Sequence, residues 1–237
     1  MTNLKLLLCT AFLSPLVLTA GDNQPSEARK ADGWIALFDG ETLDGWAVKS
    51  GFATYGVEDG AIVGTTAKGS PNTFLCTDRS FDNFVLVFEV KLDNNELNSG
   101  VQIRSKLRGE EYGGRVYGPQ VEIESTPGQA AFIYGEAAGG WQSPMIQEKG
   151  EDACAHEYFR NGEWNQYKVR VMGRRIQTWL NGIMIEDMKY DQKLYADNPE
   201  GFIGLQVHQI SEDAGPYSVR WRNLYLKPLE KKDQKED

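Results

Sequence analysis

Gln120-Val121-Glu122-Ile123-Glu124 alternates polar and apolar residues, so Gln120, Glu122 and Glu124 share one face of a strand and Val121 and Ile123 the other. At a rise of about 3.3 Å per residue the two carboxylates stand roughly 6–7 Å apart at the backbone, near enough to act on one small polar ligand. The same code recurs twice. Val101-Gln102-Ile103-Arg104 sets Gln102 and Arg104 against two aliphatics, and Leu205-Gln206-Val207-His208 does the same with Gln206 and His208. If the three strands are neighbours in one sheet, its polar face gathers acids, an imidazole and a guanidinium among amides suited to hydroxyl groups. That is the chemistry a sugar site needs. For any one strand the plain alternative is a solvated face, with Arg104 in a surface ion pair to Glu122 or Glu124 that contributes little; three strands with one code favour a site. Trp141, in the loop Ala137-Ala138-Gly139-Gly140-Trp141, is a candidate for stacking on a sugar ring, because loops at the rim of a rigid sheet commonly carry recognition.

The elements that must hold these residues are strands. Short β-type runs follow one another from 34–38 to 217–227, and no stretch sustains a helical period. Asp59-Gly60 and Asn181-Gly182 lie between alternating runs, a strong hairpin signal. Residues 84–92 begin Phe-Val-Leu-Val-Phe, apolar on both faces, which predicts a central strand covered on both sides. Together these predict an all-β, two-sheet antiparallel β-sandwich of the jelly-roll kind.

A chain of 237 residues with 41% hydrophobic content supports one sizeable domain. Its formal charge of −9 argues against nucleic acid or an anionic membrane as the main partner, since both are repelled at long range, and leaves a neutral small molecule open. Lys5, the apolar stretch 6–13 and the small residues Thr19-Ala20-Gly21 read as an export signal over 1–21, with no later apolar run to anchor the chain in a membrane. The expected location is therefore periplasmic or extracellular. Residues 22–32 read as a polar linker, 33–229 as the sandwich and 230–237 as a charged tail. Cys76 and Cys154 remain after signal removal and could pair or stay free. With two histidines in all, a multi-histidine zinc site is ruled out by count.

Further motifs run through the chain in a fixed order. They include Leu37-Phe38-Asp39-Gly40-Glu41-Thr42-Leu43-Asp44-Gly45-Trp46, Val57-Glu58-Asp59-Gly60, Asn98-Ser99-Gly100 and Gly162-Glu163-Trp164-Asn165. Trp179-Leu180-Asn181-Gly182, Gly204-Leu205-Gln206-Val207-His208 and Arg222-Asn223 follow. With these the chain resembles the exported 3-keto-disaccharide hydrolase domain family from about Trp34 to Leu229. The resemblance implies a concanavalin A-like sandwich that acts on 3-keto-glycosides as a lyase and hydratase.

That chemistry has definite needs. A ketone at C3 acidifies the C2 proton; a base removes it, an enolate forms and the C1 substituent leaves, after which water adds to the glucal. His208 or Glu122 is the candidate base, because either can be tuned near neutral pH by burial and neighbours. Arg104 would stabilise the enolate, Gln102, Gln120 and Gln206 would hold hydroxyls, and Glu124 would protonate the leaving group or orient Arg104. No cofactor is certain, although a divalent metal held by Glu122, Glu124 and His208 could replace Arg104 as the electrophile. Two other readings share the fold. A retaining glycosidase would carry a Glu-x-Asp-x-Glu strand, and Gln120 in place of the first acid cannot be its nucleophile. A non-catalytic carbohydrate-binding module would need Trp141 and the amides but neither His208 nor the acids.

Overall fold

The computed structural model describes residues 23–110 and 113–230. The expected export signal (1–21), the first residue of the expected linker and positions 231–237 of the tail lie outside the described residues. Strands β1 (Ile35–Ala36), β2 (Trp46–Lys49), β3 (Thr54–Glu58), β4 (Ala61–Thr65) and β5 (Thr73–Thr77) open the domain after a short helix, α1 (Glu27–Ala31). They lead to β6 (Phe84–Leu92), β7 (Ser99–Arg108), β8 (Arg115–Ile123), β9 (Ile133–Glu136) and β10 (Gly140–Trp141). Helices α2 (Pro144–Lys149) and α3 (Glu151–Cys154) precede β11 (Asn165–Met172), β12 (Arg175–Leu180) and β13 (Ile183–Lys189). Helix α4 (Gln192–Asp197), β14 (Phe202–Val207) and β15 (Ser218–Pro228) complete the order.

The strands form two antiparallel sheets. The back sheet runs β13-β12-β11-β6-β15-β4-β3, with β1 also on β15, and the front sheet runs β10-β9-β8-β7-β14-β5-β2. This is the all-β, two-sheet sandwich that the strand pattern predicts. Val101 and Ile103, Val121 and Ile123, and Leu205 and Val207 all face the core between the sheets, each at most 1% exposed. Their partners across it include Phe88 and Tyr167, whose rings stack at 4.9 Å. β7, β8 and β14 are neighbours, with Val101 level with both Val121 and Leu205, so three aliphatic rows lock one register.

The run at 84–92 is the central strand β6, between β11 and β15. Its outward Val87 pairs with Tyr225, whose ring lies under the Arg29 guanidinium from α1. The stretch read as a linker thus covers the back sheet. Asn23 is 1% exposed, donates to Gly60 O and accepts from Asn223 N–H, and Asp32 pairs with Lys227. Its composition is polar because its side chains bond to the sheet, not because it is free. The four helices among the described residues have only four to six residues each, too few to print a period on the sequence.

One predicted face is broken. From Gln102 to Lys106, β7 spends one more residue than β8 spends between Gln120 and Tyr117, a bulge in which Arg104 takes φ 51°. Gly201 makes room for it, since a Cβ there would lie 2.3–2.6 Å from the Arg104 and Ser105 backbone. The bulge cancels the alternation that would have put Arg104 beside Gln102, so that expectation is corrected. Arg104, 2% exposed, donates instead to Asp82 O, to Gly173 O at 2.6 Å and to Asn83 Oδ1 at 3.2 Å, with Tyr195 of α4 against its guanidinium. It ties the front sheet to the start of β6 and to the β11–β12 turn. Cys76 and Cys154 are both free and lie in separate apolar clusters.

Candidate functional site

On the outer face of the front sheet a cavity of about 590 Å³ opens, within the 300–1,000 Å³ typical of small-molecule sites. Its floor exists because Gly100 has no side chain: a Cβ there would lie 2.4 Å from Gln120 Cδ, so the Gln120 amide lies flat across β7. The amides then form a directed chain. Ser105 Oγ donates to Gln102 Oε1 at 2.6 Å, Gln102 Nε2 to Gln120 Oε1 at 2.6 Å, and Gln120 Nε2 to Glu122 Oε2 at 3.1 Å. Longer contacts carry it on, from Gln120 Nε2 to Gln206 Oε1 at 3.5 Å and from Gln206 Nε2 to Glu136 Oε2 at 3.4 Å. The Glu136 end fixes the sense, because a carboxylate paired with a guanidinium accepts from its other neighbours; Gln206 must turn its NH₂ towards it, and Gln120 and Gln102 follow in line.

Two buried carboxyl groups terminate the chain in opposite electrostatic settings. Glu122, 5% exposed, accepts from Asn98 Nδ2 at 2.6 Å as well as from Gln120, and no cation stands among its partners. Burial drives its pKa up to about 8; Glu124 and Glu136 add to the rise, while the two amide hydrogen bonds pull against it. At neutral pH it is mostly a carboxylic acid. Glu136, 4% exposed, is paired with Arg115 at 2.5 Å and accepts from Asn72 at 3.5 Å besides Gln206.

The walls hold the remaining predicted residues. Trp141 on β10 meets the Tyr134 ring of β9 edge-on, centroids 5.3 Å apart, and forms an aromatic rim. Glu124 lines the cavity but spends Oε2 on the Gln129 backbone N–H at 2.8 Å, which folds the following loop back. His208, one residue past β14, also lines the cavity, with Nδ1 2.7 Å from Gln209 O. A carbonyl oxygen can only accept, so Nδ1 carries the hydrogen and Nε2 of the neutral ring keeps its lone pair. The structure thus brings Gln120, Glu122, Glu124, Trp141, Gln206 and His208 to one cavity, with Gln102 in the hydrogen-bond chain beneath it, and leaves Arg104 out. Among the described residues no group of three His, Cys, Asp or Glu side chains is arranged to hold a metal, and the set Glu122, Glu124 and His208 does not converge as one.

Sequence reasoning missed Glu136, Arg115, Asn72, Asn98 and Tyr134. The alternation Ile133-Tyr134-Gly135-Glu136 extends the code to a fourth strand and could have disclosed Tyr134 and Glu136. Asn72 and Asn98 stand outside the strands, where period carries no information.

A two-sheet antiparallel sandwich with an amide-floored cavity on one outer face defines a carbohydrate-type jelly-roll domain. The chain belongs to the family of 3-keto-alpha-glucoside-1,2-lyase-like domains, whose profile matches residues 33–227. Among solved structures it is similar to a putative glycosyl hydrolase from Parabacteroides distasonis (TM-score 0.61, 21% identity, 88% of this chain and 100% of that one). It is also similar to the carbohydrate binding module CBM66 from Bacillus subtilis (TM-score 0.53, 14% identity, 77% and 95% covered). A third likeness is to Bacillus licheniformis beta-glucanase (TM-score 0.52, 9% identity, 79% and 94% covered). At these identities the three likenesses speak for the sandwich fold alone. No functionally curated protein matches the chain by sequence.

Proposed function

We propose that the chain cleaves 3-keto-glycosides by elimination and hydrates the resulting glucal, with His208 as the base and Glu122 as the acid. The observation that carries this is the pairing, in one cavity, of a carboxyl group kept protonated to about pH 8 with an imidazole whose Nε2 is open. His208 Nε2 takes the C2 proton; the electron pair moves into C2=C3 and on to the C3 oxygen, then returns to expel the C1 oxygen as Glu122 donates its proton to it. In the second half Glu122, now a carboxylate, takes a proton from water as the oxygen adds to C1, and imidazolium His208 returns a proton to C2. Both groups end as they began. Gln120, Gln206 and Asn98 bind hydroxyls, and Trp141 faces a ring.

An ordinary glycosidase would pair Glu122 with Glu124, whose Oε2 is already held by the Gln129 N–H, or with Glu136. That reading is weaker, because the Glu136 oxygens already accept from Arg115, Asn72 and Gln206 and make a poor nucleophile. A binding module has no need of a protonated floor acid. The experiment is to follow aglycone release from a 3-keto-glucoside and from the matching glucoside. Release from the keto substrate alone supports elimination; release from both favours a glycosidase, and binding without release a module. His208→Gln and Glu122→Gln should each lower kcat by about 10²–10⁴-fold. Residues 1–21 are proposed as an export signal, so the reaction would occur in the periplasm or outside the cell; an intact N-terminus on the secreted or periplasmic protein would refute cleavage.

A further inference from the structure

Removing a proton from C2 leaves negative charge on the C3 oxygen, and this cavity is a poor place for it. Glu122, Glu124, Glu136 and Glu151 all line the site, and the sequence's candidate for the compensating cation, Arg104, is buried elsewhere. Among the described residues that line the cavity, Arg115 is the only lysine or arginine. Its side chain is 42% exposed, and it donates from Nη2 to Glu136 Oε1. A guanidinium has five N–H donors in a rigid plane, so donors remain for a ligand oxygen. Glu136 is in turn fixed by Gln206 and Asn72, which pins the guanidinium at the end of the amide chain.

We propose that Arg115 binds the C3 oxygen of the substrate and stabilises the enolate, with Glu136 as the residue that positions it. This rests on the elimination reading above. In the step concerned, the C2–H bond breaks, its proton passes to His208 Nε2, and the C3 carbonyl π pair becomes the oxyanion that Arg115 receives. An ion-paired guanidinium is suited to the task, because its donors are already oriented when the charge develops. Arg115 also lines an adjoining cavity of about 720 Å³, which places it at the boundary between the two spaces.

Enolisation can be watched apart from bond cleavage. The probe is 3-keto-1,5-anhydroglucitol, which has no aglycone at C1, only the ring oxygen, and the readout is exchange of its C2 hydrogen in D2O followed by proton NMR. The wild-type protein should catalyse exchange. Arg115→Met should lower that rate by about 10²–10³-fold, Arg115→Lys should fall between, and added guanidinium ion should restore part of the loss in Arg115→Ala. Glu136→Gln, which keeps the guanidinium but loosens it, should lose less than Arg115→Met. A purely structural role would follow the folded fraction seen by circular dichroism and would gain nothing from guanidinium. Exchange by folded Arg115→Met within about threefold of wild type overturns the assignment while leaving elimination standing. If Arg115→Met fails to fold, undiminished exchange by Arg115→Lys together with no rescue of Arg115→Ala overturns it equally. Failure of the wild type to release aglycone from a 3-keto-glucoside, with no exchange on the probe, overturns the elimination reading and this proposal with it.

Discussion

Glu122→Gln should make the protein more stable in alkali while disabling it. The Glu122 carboxyl is buried and titrates near 8 against an ordinary 4.5, so the folded state holds a proton that the unfolded chain releases. Between those two values the native state binds more protons, and stability falls as pH rises. At about 1.4 kcal/mol for each tenfold, the interval amounts to about 5 kcal/mol, present in full below pH 4.5 and lost by pH 8. Glutamine has the same shape and never ionises, so it removes this loss. It also brings an NH₂ where Asn98 and Gln120 both donate, which costs about 1–2 kcal/mol at any pH. The variant should therefore be about 1–2 kcal/mol less stable than wild type at pH 4.5 and about 3 kcal/mol more stable at pH 9. Equilibrium urea unfolding at the two pH values measures the difference directly. A difference that does not change between pH 4.5 and 9 would refute the claim that Glu122 is held protonated, and with it the assignment of Glu122 as the acid. The same protonation predicts that wild-type kcat falls above about pH 8, and that Glu122→Gln lacks this alkaline limb.

Arg104→Met should lower stability by about 2–4 kcal/mol, because two carbonyls and the Asn83 amide lose their buried donor. Its kcat on a 3-keto-glucoside should stay within about threefold of wild type below the melting temperature, and a hundredfold loss there would place Arg104 back in the chemistry. Gly100→Ala drives a methyl group into Gln120 and should cut kcat/KM at least tenfold for about 1–3 kcal/mol of stability; unchanged steady-state kinetics would mean that the flat amide is not part of the binding surface. Cys76 and Cys154 are free, so a reducing agent should leave Tm unchanged, and a drop of several degrees would reveal a disulfide. Burial pushes the Cys76 thiol pKa far up, so it should resist a thiol reagent until the protein unfolds.

The aliphatic half of each site strand was legible because burying one face of a sheet enforces a period of two. Val101, Val121 and Leu205 therefore announce their face, and the glutamines opposite them follow. The same logic failed at Arg104, because a bulge is decided by how β7 meets β8 and β14 and by the room left at Gly201, none of which a single strand encodes. Glu136 carries the same signal, since β9 alternates Ile133-Tyr134-Gly135-Glu136 as its neighbours do. Asn72 and Asn98 belong to loops and reach the acids only through the chain's path in space. The segment at 23–32 misled by composition: side chains that bind a sheet through Asn23 and Asp32 are as polar as those that bind water.

The amide chain from Ser105 to Glu136 has a further meaning. Because each oxygen must accept from the preceding donor, no single amide can turn over alone; reversing one would set NH₂ against NH₂ along the row. The floor therefore responds to a new charge as a single block whose polarisation was chosen when the chain folded. Bulk water reorients to meet a charge and dissipates free energy in doing so, whereas this surface has little reorientation left to make. In the language of charge transfer, the protein holds a patch of solvent of very low reorganisation energy, and its polarity points towards the two acids.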